Sequence, residues 1–181
     1  MGTYTYTLFK SYLKLRCGSN SAFDDYYGVW VNSAYSFLTT SETIGGVRKR
    51  MYFPELEVND TVTTSNGFAV VSPPTDCLIT REIYDSTNTR RLDWIPLSEY
   101  VNKTDRADTS AEGQPQKWTR MGSYYYLWPT PDATYSLLVY YKKRPTALSG
   151  ASDVTAIGKE WDDIILELAT SIARNWMISS Y

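Results

Sequence analysis

The side chains that perform most enzyme chemistry are scarce in this sequence. Its 181 residues include no histidine. This removes His-dependent triads, imidazole metal sites and the commonest general base. Residues 44–47 (IGGV) lack the GK[ST] ending of a phosphate-binding loop. Cys17 and Cys77 lack any CxxC or Cys/His context, so we expect two buried free thiols. We therefore expect a non-enzymatic protein without a catalytic residue, cofactor or metal.

Two pairs of neighbouring carboxylates remain as candidates for acid–base chemistry. Asp24 and Asp25 form one pair, and Asp162 and Asp163 form the other. Neighbours in sequence point about 100° apart on a helix, so neither pair converges on one substrate atom. We predict that both pairs are solvated charges at the positive ends of helices. The sequence leaves open a carboxylate pair assembled from distant loops, as in glycosidases.

Charge and aromatic content bear on the choice of partner. The formal net charge is −2, so no basic excess drives binding to phosphates. Basic runs at 48–50 and 142–144 allow contact with nucleic acid or an acidic partner, but solvated strand ends explain them more simply. The 16 tyrosines and 6 tryptophans suit cores and subunit interfaces. A stacking platform for sugars or bases is the alternative.

Helical periodicity at both ends of the chain predicts one helical layer. A first helix carries Leu8, Tyr12 and Leu15 at helical spacing and stops at Gly18. A second, over residues 23–40, has the apolar stripe Phe23, Tyr27, Trp30, Ala34, Phe37 and Leu38. The closing helix has the stripe Ile157, Trp161, Ile164, Ile165, Leu168, Ile172 and Trp176. An isolated helix would leave such a stripe exposed to water, so we expect residues 1–46 and 155–181 to pack together.

Between these ends, short extended runs and turn signals replace the helical period. Strands are predicted at residues 51–53, 56–63, 68–71, 77–85, 91–96, 124–128 and 135–142. The polar stretch 102–117 is predicted as a functional or mobile loop. The fold class is therefore α+β, with an antiparallel β-sandwich or barrel-like domain inserted at 47–154.

The stretch 118–145 is the strongest β signal. Tyr124, Tyr126 and Trp128 alternate with core-type residues, and a second alternating run follows a turn at residues 129–132 that contains two prolines. We predict that these two runs pair as a hairpin. One of its faces would fill the core, and its outer aromatic face would meet another subunit.

Several segments, taken in order, resemble one protein family. They are residues 30–35 (WVNSAY), 70–76 (VVSPPTD), 113–118 (GQPQKW), 127–132 (LWPTPD), 139–145 (VYYKKRP) and the closing helix from Glu160. Their order resembles the head-to-tail adaptor proteins of tailed bacteriophages, also called connector or head-completion proteins. This group includes tail accessory factors of short-tailed phages. The likeness spans nearly the whole chain.

The resemblance implies a structural virion protein, made in the host cytoplasm and located in the phage neck. Such adaptors bind beneath the portal ring, often as twelve copies, and contact tail or nozzle proteins. Their homo-oligomeric ring forms a conduit for double-stranded DNA, which passes without sequence-specific binding. No 18-residue apolar run exists, so we expect no membrane contact. The candidate subunit or portal contacts are Tyr124, Tyr126, Trp128, Tyr135, Gln114, Trp118, Trp176 and Tyr181.

Two other functions compete with this one. A carbohydrate-binding module of a phage tail or of an enzyme would need aromatic side chains on an exposed sheet face. A lysin-like hydrolase would need a carboxylate pair that the sequence does not locate.

Overall fold

The computed structural model describes residues 3–40, 52–106 and 111–179. The chain divides into two compact units. One combines Met1–Leu56 with Arg144–Tyr181, and the other is Glu57–Lys143. Both points of division lie inside the inserted range 47–154 that the sequence predicts. The α+β class is confirmed, because helices make up most of the first unit and a sheet makes up most of the second.

Four α-helices and seven strands make up the regular structure of the described residues. The helices are α1 (Tyr6–Cys17), α2 (Asp24–Thr40), α3 (Leu97–Arg106) and α4 (Asp162–Ser179). The strands are β1 (Glu57–Thr63), β2 (Val70–Val71), β3 (Cys77–Asp85), β4 (Arg90–Trp94), β5 (Lys117–Met121), β6 (Tyr124–Trp128) and β7 (Ser136–Lys143). Short 3-10 helices occur at Ser21–Phe23, Pro54–Leu56 and Lys159–Trp161.

Helices α1, α2 and α4 form the first unit, and each contacts the other two. The segment before α4 caps α1: the N–H groups of Tyr6 and Thr7 donate to the carbonyls of Asp153 and Ala151, at 2.7 and 3.2 Å. These first-turn donors have no partner inside their own helix. The two ends of the chain are therefore joined by backbone hydrogen bonds as well as by side-chain packing.

The predicted helices exist, but two of their buried faces differ from the prediction. Helix α1 buries Phe9 and Leu13, whereas the predicted Leu15 is 73% exposed. Both sets of residues have helical spacing, so only packing against α2 and α4 distinguishes them. Helix α4 buries a neighbouring stripe, Ile165, Leu166, Ala169, Thr170 and Ala173. Its alanines leave room for the large aromatics of α2 in the shared core.

A single seven-stranded sheet dominates the second unit, in the order β1-β7-β3-β4-β5-β6-β2. All neighbours are antiparallel except β4 and β5, which are parallel. The predicted antiparallel arrangement is therefore wrong for one pair. Parallel neighbours need a crossover, and α3 provides it between β4 and β5. The polar stretch 102–117, predicted as a loop, begins inside this helix.

The two edge strands of this sheet are adjacent in sequence. Residues 64–69 link β1 to β2 and can span at most about 25 Å. In a flat sheet, six strand spacings of about 4.8 Å would separate those edges by about 29 Å. The sheet must therefore curl, and it encloses a core of its own. This core draws on β2 through β7, with Ile83, Leu127 and Val139 among its members.

The predicted hairpin between residues 124–128 and 135–142 is wrong. Both strands exist, but β6 pairs with β5 and β2, while β7 pairs with β1 and β3. The true hairpin joins β5 to β6 through Gly122 and Ser123, where Met121 pairs with Tyr124. Gly122 has φ 59, a conformation that suits glycine in a two-residue turn. In the sequence, Gly122-Ser123 is a weaker turn signal than the two prolines at 129 and 131.

Neighbouring isoleucines on α4 test the revised packing. Ile165 is fully buried and Ile164 is 42% exposed. We expect Ile165→Asp to lower the free energy of unfolding by at least about 3 kcal/mol, because a carboxylate enters the helical core without a partner. Ile164→Asp should change it by no more than about 0.5 kcal/mol. Urea denaturation followed by circular dichroism measures both, and equal losses would contradict this assignment of faces.

Candidate functional site: surfaces for protein contact

The described residues contain no group of three or more His, Cys, Asp or Glu that could hold a metal ion. No helix within the described ranges is long and apolar enough to cross a membrane. Cys17 and Cys77 are both free, with Cys77 buried and Cys17 half-buried. Burial raises the pKa of the Cys17 thiol, so its reactive thiolate is disfavoured.

Asp162 is a structural anchor, which corrects the prediction of a solvated charge. It is only 2% exposed at the start of α4. Its carboxylate accepts hydrogen bonds from the backbone N–H groups of Thr3 and Tyr4 and from the Thr155 hydroxyl, the last at 3.1 Å. The neighbouring Asp163 accepts from the Tyr4 hydroxyl at 2.9 Å. These carboxylates hold the N-terminal segment against α4, where the helix dipole favours negative charge.

Asp85 anchors the second unit in the same way. It is fully buried at the end of β3 and accepts from the N–H groups of Thr87 and Asn88 and from the Asn88 amide. The amide of Gln114 also donates to it, at 3.1 Å. The candidate contact residue Gln114 therefore ties the segment before β5 to the turn between β3 and β4.

A tyrosine side chain reaches across the interior of the curled sheet. Tyr125 on β6 is fully buried, and its hydroxyl lies 2.7 Å from the Thr80 hydroxyl on β3. The Cys77 sulfur is 3.6 Å away, and the ring of Trp118 packs edge-on against Tyr125. Trp118 is only 4% exposed, so this candidate contact residue belongs to the core.

Helix α3 covers much of the outer aromatic face of β6. Tyr126 packs edge-to-face with Tyr100 at 5.7 Å between centroids. The ammonium of Lys103 lies 4.5 Å from the centre of the Trp128 ring, a cation–π contact. Glu99 accepts from Lys117 of β5 at 3.1 Å, which fastens the helix to the strand beneath it. Tyr126 and Trp128 are thus partly covered by their own chain.

The remaining candidate residues differ in exposure. Tyr124 is 47% exposed at the tip of the β5–β6 hairpin. Tyr135 is half-buried, and its hydroxyl donates to Asp132. Trp176 is 37% exposed and belongs to an aromatic cluster with Phe23, Tyr26 and Trp30. Tyr181 lies outside the described residues.

The two basic runs are not equivalent. Residues 48–50 lie outside the part of the chain that the structure describes. In the second run Lys142 is buried, Lys143 is half-buried and Arg144 is exposed. Lys142 pairs with Glu57 and Ile79 in the ladders of β7. The run is therefore largely part of the sheet, and only its end faces solvent.

Large exposed apolar side chains are the surface feature that the sequence did not reveal. On the sheet unit Phe68 and Trp94 are 66% and 61% exposed. On the helical unit Leu15 and Val29 are 73% and 57% exposed. Periodicity predicted several such residues as core, because it cannot tell a face that packs inside one chain from a face that packs between chains. Their exposure makes them available for contact with a protein partner.

Comparison with known proteins identifies a family whose members make protein contacts. The family model of the SU10 adaptor protein matches residues 7–176. The chain belongs to this family of bacteriophage head-to-tail adaptors. It is therefore a structural protein of the virion, a head–tail connector that interacts with portal and tail proteins. No curated protein matches the chain.

Adjacent tyrosines on β6 test the buried hydroxyl. We expect Tyr125→Phe to destabilise the protein by about 1 kcal/mol, because the Thr80 hydroxyl loses its closer hydrogen-bond partner and keeps only the Cys77 sulfur at 3.5 Å. Tyr124→Phe, at the exposed hairpin tip, should stay within about 0.5 kcal/mol of the wild type. Urea unfolding monitored by tryptophan fluorescence measures the difference. Two variants of equal stability would show that the hydroxyl contact contributes nothing.

Alkaline pH should destabilise the sheet unit. Burial raises the pKa of Tyr125, and burial with a hydrogen bond to Asp76 raises that of Tyr141, both above the ordinary value near 10. In the unfolded chain both phenols lose their protons at about pH 10, while the folded chain keeps them. The contribution of these two phenols to the free energy of unfolding is thus fully present below about pH 10, and it is lost as the pH rises further. Urea unfolding between about pH 8 and pH 11 should show a smaller decline in Tyr125→Phe than in the wild type. An unchanged decline would contradict this.

Proposed function

We propose that the protein docks beneath the portal ring at the capsid vertex and forms part of the DNA conduit to the tail. Membership of the adaptor family over residues 7–176 is the observation that carries this proposal. In the proposed assembly, twelve copies form a homo-oligomeric ring in the phage neck. One side of the ring meets the portal, and the other meets tail or nozzle proteins.

The surfaces of the described residues support an assembly role. Both units carry large exposed apolar side chains, such as Val29 and Leu15 on the helices and Trp94 at the end of β4. Such side chains are costly on a free monomer and become favourable when a partner removes them from water. Among the candidates from the sequence, Tyr124 and Trp176 remain the exposed aromatic contacts that we propose for a subunit or the portal.

The charge balance supports passage of DNA without capture. With a net charge of −2, the chain has no excess of cations to release counterions from a duplex. Arg81 pairs with Glu57 at 2.8 Å and Lys14 with Asp24 at 2.6 Å, so exposed cations are partly neutralised within the chain. A conduit lined by a chain with this charge balance would not bind the DNA that passes through it.

The carbohydrate-binding alternative needs flat aromatic faces open to solvent. Helix α3 lies over Tyr126 and Trp128, the two best placed rings of the outer face of β6. The remaining exposed ring there, Tyr124, offers a single stacking surface at a hairpin tip. This arrangement favours protein contact over a sugar platform.

Electron microscopy of a reconstituted complex tests the proposal. Purified protein is mixed with portal rings from the same virion, and particles with and without it are averaged. We expect an added ring of density beneath the portal, with the symmetry of the portal or a close match to it. Unchanged portal rings at micromolar protein, together with oligosaccharide binding measured by calorimetry, would instead support the carbohydrate-binding function.

A further inference from the structure

Beyond its first turn, which carries Asp24 and Asp25, the outward face of α2 has no charge. From Tyr26 to Thr40 the helix contains no Asp, Glu, Lys or Arg at any position. Its exposed residues form one stripe along the helix: Tyr26, Val29, Ser33, Ser36 and Phe37. A helix on the surface of a monomer normally carries charges on its solvent side. Loss of charge, with apolar and small side chains in its place, is typical of the centre of a protein interface.

The other two helices of the unit differ from α2. The exposed sides of α1 and α4 carry charges, among them Arg16, Asp163 and Glu167. Arg16 and Glu167 form an ion pair that joins the two helices. Among these three helices, the absence of charge beyond the first turn is therefore specific to α2.

A groove lies between α1 and α4. It measures about 280 Å³ and has apolar walls from Tyr12, Leu15 and Leu166, with Arg16 and Asp163 beside them. Helices α1, α2 and α4 contact each other pairwise, so the groove between two of them faces away from the third. The charge-free stripe of α2, hereafter the α2 ridge, and the α1–α4 groove therefore lie on opposite sides of one helical unit.

From this arrangement we propose that the α2 ridge of one copy packs into the α1–α4 groove of a second copy. The proposal rests on the ring assembly proposed above and names the surfaces that build it. A helix face and a groove on opposite sides make a heterologous contact, in which each copy uses one surface toward each neighbour. Such a contact repeats from copy to copy and gives a ring when the rotation closes. Val29 and Phe37 are the ridge residues that enter, and Leu15 and Tyr12 are the groove residues that receive them.

Single charges on either surface test the pairing. Val29→Asp alters the ridge, and Leu15→Asp alters the groove. Both residues are exposed in the single chain, so each variant should fold and melt like the wild type. We expect each to raise the dissociation constant of self-association roughly a hundredfold, because a carboxylate would be buried without a partner. Val101→Asp and Leu97→Asp, matched exposed positions on α3, are the controls and should assemble like the wild type.

Mixing the two variants shows whether the contact is heterologous. A Val29→Asp copy keeps an intact groove, and a Leu15→Asp copy keeps an intact ridge. An equimolar mixture should therefore form a one-to-one dimer that grows no further, whereas each variant alone stays monomeric. Native mass spectrometry and light scattering, both alone and on portal rings, resolve these species. A two-fold contact of ridge with ridge would give no such rescue.

The outcomes separate this inference from the proposed function. Rings that persist in Val29→Asp and Leu15→Asp would overturn the pairing while leaving the adaptor role intact if portal rings are still bound. A wild-type chain that is monomeric alone and on portal rings would also overturn it. Wild-type rings that form by this pairing yet bind no portal would support the contact and refute the proposed docking.

Discussion

The short link between β1 and β2 is the constraint on which the sheet unit depends. Residues 64–69 join strands at opposite edges of a seven-stranded sheet, which forces the sheet to curl. Curling brings β3 and β6 face to face across the interior, where the Tyr125 and Thr80 hydroxyls meet at 2.7 Å. The sheet thereby buries one face without a second sheet. Its other face needs a different cover, and α3 supplies it over β5 and β6.

Two buried carboxylates stabilise the structure of this protein. Asp162 and Asp85 are both buried, and each accepts at least three hydrogen bonds. A buried charge is tolerated only when such donors replace water. Asp162 fastens the start of the chain to its last helix, and Asp85 orders the turn between β3 and β4. Asp162 thus joins segments far apart in sequence, and Asp85 does so through the amide of Gln114.

Prediction from sequence succeeded for elements and failed for pairing. The alternation of Tyr124, Tyr125 and Tyr126 correctly gave a strand with one buried face. The partner of that strand was wrong, because a turn with two prolines near residue 130 was a more prominent signal than Gly122 and Ser123. Helix α3 was missed because few of its residues are apolar, and Tyr100 is the one that it buries most deeply. Leu97, Tyr100 and Val101 have helical spacing, but this pattern covers little more than one turn before the polar run begins.

The sequence by itself determined the α+β class, the helices at both ends, most strands and the scarcity of catalytic groups, since each depends on local residue type and spacing. Tertiary structure decided which of two helical faces is buried. Leu8, Tyr12 and Leu15 have helical spacing, and so do Phe9 and Leu13. Only contact with α2 and α4 determines that the second set is buried. It also decided that the 124–128 and 135–142 strands lie apart. Pairing depends on chain reach and on the whole strand order, which no local pattern contains.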